Sequence, residues 1–145
     1  MLKLNFEIEI NAPVEKVWKV LWNDDTYRKW TSAFTEGSHA DSDWKEGSRI
    51  HFLDGNGNGM YSEIAKKIPA KFMSFRHLGI IKDGKEQPED EETKGWAGAT
   101  ENYTLKEKGK STVLSIELDT SENYSGYMKN VFPKAMEIIK SLSEG

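Results

Sequence analysis

The last part of the chain constrains the fold most. Met128, Val131, Phe132, Ala135, Ile138, Ile139 and Leu142 recur at steps of three and four from about Tyr124 onward. That spacing predicts one long amphipathic helix with a continuous apolar stripe. Its polar face carries Lys129, Lys134, Glu137 and Lys140, so the stripe must lie against something the rest of the chain supplies. Pro133 sits inside the stripe. It removes one backbone hydrogen bond and predicts a bend.

What precedes the helix reads mainly as strands. Leu2, Leu4, Phe6, Ile8 and Ile10 alternate with Lys3, Asn5, Glu7 and Glu9, the period-two signature of a half-buried strand. Asn11-Ala12-Pro13 ends it, and proline suits the first turn of a helix because its missing N–H has no partner there. Val14, Val17, Trp18 and Leu21 then follow helical spacing, with Trp18 read as core. Asn23, Asp24 and Asp25 cap a second, short helix carrying Tyr27 and Trp30. Further on, Ile50 and Phe52 oppose Arg49 and His51. Met73, Phe75 and His77 share one face of the most apolar run. Glu101, Tyr103 and Leu105 share a face, and Leu114, Ile116 and Leu118 point inward. The short "EKGK" link joins the last two strands as a hairpin, and the charged segment 82–94 reads as a solvated loop. Strand, two helices, antiparallel strands and a long helix make an α+β arrangement. One sheet face needs a cover, and the last helix has the stripe to provide it. A length of 145 residues suits one domain, 1–145, with a real core.

Composition removes several functions. No window approaches the ~20 apolar residues of a membrane span. A net charge of −4 without a basic stripe argues against nucleic acid as a partner. The absence of cysteine excludes disulfides, thiolate metal sites and cysteine nucleophiles. The N-terminus alternates and lacks the blocks of a signal peptide, so a cytoplasmic location is expected. "DGNGNG" at 54–59 matches the opening of a calcium loop, but the bidentate twelfth position falls on Ala65 and strand-like segments flank it. Glycine and asparagine tolerate positive φ, so the expectation is a hairpin turn. No metal site and no cofactor is expected.

Several blocks carry a resemblance. "INAPVEKVW" at 10–18 with "YRKW" at 27–30 resembles the opening of the START-like, birch-pollen-allergen-like superfamily. "DWKEGSRIHF" at 43–52, "FRHLGIIKDGKE" at 75–86, "ATENYTL" at 99–105 and "FPKAMEIIKSL" at 132–142 are similar to blocks of its heat-shock-protein-90 ATPase activator homologue family. The resemblance implies a helix-grip fold: a curved antiparallel sheet wrapped around a long C-terminal helix, with two short helices after the first strand and a cavity between. It also implies binders of hydrophobic small molecules, lipid carriers, some enzymes, and co-chaperone domains. No separate client-binding domain is expected ahead of this one.

Candidate site residues follow from that arrangement. Trp30, Phe34, Phe52, Met73, Phe75, Trp96, Tyr103, Met128 and Phe132 are expected to line the cavity, with His77 and Glu101 supplying polarity. An inward carboxylate is costly unless paired or hydrogen-bonded, and His77 or a tyrosine hydroxyl can meet that need. The same residues also serve as satisfied core groups, and the aromatic rings also serve simply to close a core. No nucleophile–base pairing is visible and no catalytic residue is assigned. The leading expectation is a non-enzymatic module for a small hydrophobic molecule, acting as a monomer or weak homodimer. The alternatives are a protein-interaction module for a chaperone-type partner and an enzyme using His77 and Glu101.

Overall fold

In the computed structural model, which describes residues 1–145, the alternating N-terminal run forms β1 (Leu2–Ile10). Two helices follow, α1 (Val14–Trp22) and α2 (Asp24–Thr31), which share Asn23 as the joint between them. Then come β2 (His39–Asp41), β3 (Arg49–Leu53), β4 (Gly59–Ile68), β5 (Phe72–Lys82), β6 (Lys85–Glu86), α3 (Glu91–Lys94), β7 (Thr100–Lys108), β8 (Ser111–Thr120) and α4 (Glu122–Glu144). The sheet is antiparallel throughout, in the order β1-β8-β7-β5-β4-β3-β2, with β6 added beside β5. This is the α+β helix-grip arrangement.

Two elements were not expected. β2 is three residues long, too short for a readable alternation. The charged segment 82–94 is not wholly loop, since it contributes β6 and the one-turn α3. Asp90 caps α3, its carboxylate accepting from the Thr93 N–H at 2.8 Å. Charged composition hid this turn because nothing in it has an apolar period.

The "DGNGNG" stretch is the β3–β4 hairpin turn. Asp54 Oδ1 accepts from the backbone N–H groups of Asn56 (2.8 Å) and Asn58 (3.0 Å), and Gly57 takes a φ of +80°. Those two N–H groups hold the Asp54 carboxyl below the usual carboxylate range, Asn58 first. On the outer face Arg49 and His51 meet Glu86 at 2.7 and 2.8 Å, tying β3 to the strand beyond β5.

Side chains of one sheet face and of the helices form a single apolar cluster. α4 lies chiefly against β1, α1 and α2. It is not broken by Pro133, and its buried residues are Val131, Phe132, Ala135, Met136, Ile139 and Ser143. The turns before Val131 bury no residue. That half of α4 is attached to the sheet only lightly.

Candidate functional site

The inner sheet face is built in transverse rows set by strand register. Leu4, Leu118, Glu101, Phe75 and Ile64 form one row, four apolar side chains and a carboxylate. The register also pairs His77 with Ser62 and Ser62 with Ile50, and Thr120 ends β8 one residue before α4 is capped by Ser121. Polarity therefore collects toward one side of this face.

These polar groups are joined. Ser62, fully buried, lies with its hydroxyl 2.7 Å from His77 Nδ1. His77 Nε2 lies 3.3 Å from Glu101 Oε1. The Tyr103 hydroxyl donates to the other carboxylate oxygen of Glu101. One arrangement satisfies all three contacts: Ser62 donates to Nδ1, and the Nε2 hydrogen donates to Glu101. Glu101 makes no ion pair with a lysine or arginine; its partner is His77. Burial, and then the Glu101 charge, raise the Tyr103 phenol well above its ordinary value and raise that of Tyr27 as well. Both tyrosines therefore stay neutral donors.

Around this strip the rings crowd. Trp22 is the hub, with ring centroids 4.9 Å from Tyr103, 5.4 Å from Phe75, 5.6 Å from Trp44 and 6.4 Å from both Tyr27 and Trp30. Edge-to-face geometry dominates these pairs, the arrangement that ring quadrupoles favour. Trp30 anchors its indole N–H on the Leu21 carbonyl at 3.1 Å. Trp22 is also buried, yet its indole N–H has no acceptor. An orphaned buried donor is costly and calls for an explanation.

Of the residues singled out from sequence, Trp30, Met73, Phe75, Tyr103 and Phe132 are buried in the cluster. Phe34, Phe52 and Met128 are half-buried against it. Phe52 sits 5.2 Å edge-on to Phe75 and 6.1 Å from the His77 ring. Phe34 packs on Phe132 at 4.9 Å, which in turn stacks on Phe6 at 5.1 Å. The Tyr127 hydroxyl donates to the Phe34 carbonyl at 2.6 Å, bridging from the loosely attached half of α4. Trp96 stands apart: it lies in the turn after α3 and is not in the cluster. Three participants were missed, Trp22, Tyr27 and Trp44. Trp18 was read as core, but it is only half-buried and Trp22 takes the deep position. One further i,i+4 step along the α1 stripe from Trp18 lands on Trp22, and that was the available signal.

The cluster occupies much of the space that the sequence left open for a cavity. Two well-formed hollows, of about 380 and 410 Å³, lie elsewhere. The first is on the outer sheet face among Asn5, Glu7, Asn102 and Glu117. The second lies by Val14, Ala70 and Leu105 at the foot of α1.

Known structures place this architecture. The chain aligns with the solution structure of the Aha1 dimer from Colwellia psychrerythraea at 24% identity, covering 99% of this chain and 94% of that one, with a TM-score of 0.68. Protein MLL2253 from Mesorhizobium loti aligns at 18% identity over 97% and 96% of the two chains, with a TM-score of 0.76. CalU16 from Micromonospora echinospora aligns at 18% identity over 99% of this chain and 66% of that chain, with a TM-score of 0.69. At these identities the likeness concerns the fold. No curated protein is a significant match. The family model described as "Activator of Hsp90 ATPase homolog 1-like protein" matches residues 11–144, and the chain belongs to that family.

Proposed function

We propose that this chain is a non-enzymatic binding module for a small hydrophobic molecule. The molecule seats between the sheet and the first turns of α4, beside His77 and Glu101. The observation that carries this reading is the unequal attachment of α4. Its second half is buried, while its first half covers the polar end of the inner face without burying a residue. Half-buried Phe34 and Phe52 form the rim, and the rings of Tyr103 and Phe75 form the floor. The orphaned Trp22 N–H supports the same reading, because it leaves one donor for a ligand oxygen. Since the deep end is filled by aromatic side chains, the ligand is small, or it displaces the rim.

Apolar surface buried at such a site contributes about 25 cal/mol per Å², so a ring-sized ligand needs few polar contacts. The neutral probe N-phenyl-1-naphthylamine tests this. It is expected to gain fluorescence with the protein in saturable fashion. Phe52→Ala, which removes half the rim, should weaken it several-fold, a loss of about 1 kcal/mol. Equal affinity for the two proteins would remove the rim from the site.

A second reading is supported by the exposed face of α4 and the filled interior: a protein-interaction module with a chaperone-type partner, in keeping with the family. Tyr124 and Tyr127 on α4, with Met1 and Leu2 on the strand paired to Thr120, are the large apolar residues it would use. It predicts no saturable probe binding and loss of partner binding on Tyr124→Ser.

A further inference from the structure

The chemistry of the basket narrows the ligand class. Glu101 is the carboxylate of an otherwise apolar row, flanked by Leu118 on one side and Phe75 on the other. It is held by two donors, the Tyr103 hydroxyl and the His77 ring, and no lysine or arginine neutralises it. A carboxylate withdrawn from water without a cationic partner is unusual, because desolvation penalises the charge. Its side chain is 22% exposed, so one edge of it still faces out of the cluster.

The neighbours are the groups that attract a cation. Tyr103, Tyr27, Trp22, Phe75 and Phe52 surround the carboxylate, and each ring carries a negative quadrupole on its face. The Glu101 charge is felt at both the Tyr103 and the Tyr27 hydroxyls, so its field spreads through the basket. Several ring faces around a compact organic cation, with one carboxylate close by, is how quaternary ammonium groups are recognised, each contact gaining about 0.5–2 kcal/mol. A simple hydrophobic pocket would have no use for an uncompensated carboxylate at its rim.

From this we infer that the ligand of the basket is an organic cation, an amine or quaternary ammonium attached to an apolar body, with the cation against Glu101 and the body against Phe52 and Phe75. This rests on the binding-module reading above and gives that module its charge preference.

A matched set of probes separates the two. Benzyltrimethylammonium carries the cation, and neopentylbenzene is its uncharged isostere with carbon in place of nitrogen. Benzylsulfonate reverses the sign. Binding to the full chain is read by calorimetry and by quenching of tryptophan fluorescence. The expected result is that the cation binds at least tenfold more tightly than its isostere and that the sulfonate does not bind. Glu101→Gln should abolish the preference while leaving the isostere's affinity in place, with circular dichroism reporting that the variant is folded. If that variant does not fold, the ratio measured on the unaltered protein still decides. Equal affinity for cation and isostere would overturn the charge inference and keep the binding module. Binding of none of the three would overturn both.

Discussion

At the residue scale, Tyr27 and Tyr103 carry the most specific consequence. Both are buried, and burial followed by the Glu101 charge raises each phenol above its ordinary value near 10. A raised folded value means that the stabilisation is fully present below the unfolded value and is lost as pH climbs toward the folded one. Above about pH 10 the unfolded chain ionises while the folded chain resists, so stability falls by up to about 1.4 kcal/mol per pH unit for each phenol. Urea midpoints at pH 9 and pH 11 should therefore drop steeply for the unaltered protein and less steeply for Tyr27→Phe. Parallel drops would show that this ring does not sit in the environment described. The inward placing of His77 and Glu101 was legible from alternation alone, because a strand side chain has only two faces to choose from. The role of Trp22 was not. It is the last residue of α1, and whether a terminal residue turns inward depends on the direction of the next helix, which alternation does not encode.

At the element scale, α4 behaves as two pieces. Residues from Val131 onward are locked by burial, whereas Glu122–Asn130 depends on helix propensity and on the Tyr127–Phe34 contact. Gly126 lies in that weak half, with nothing within 4 Å of where a Cβ would stand. Gly126→Ala should stabilise the protein by about 0.5–1 kcal/mol by reducing the freedom of the unfolded chain. Thermal melting would register this as a rise of a few degrees; a fall would mean that Gly126 holds a conformation alanine cannot. Long periodic elements such as β1, β5, β8 and α4 could be read from sequence because each repeats its period several times. β2 and α3, with three and four residues, hold less than two periods, and their existence depends on β3 and on the Asp90 cap.

At the scale of the whole molecule, the open question is how a helix-grip fold uses its inner face. Sequence predicted the sheet, the covering helix and the pairing side of the face. It did not predict how much of the enclosed space the chain fills with its own rings, because ring packing depends on side-chain direction across four elements at once. The filled deep end around Trp22 and the loosely covered polar end around Glu101 divide that face into a core and a site. No helix is long and apolar enough to cross a membrane, so nothing in α4 competes with this covering role. The most direct test is solution NMR of the protein titrated with N-phenyl-1-naphthylamine. The account predicts shift changes and probe contacts at Phe52, His77, Glu101, Tyr103 and the first turns of α4. Changes confined to the outer-face hollow at Asn5, Asn102 and Glu117, with the inner face silent, would contradict it.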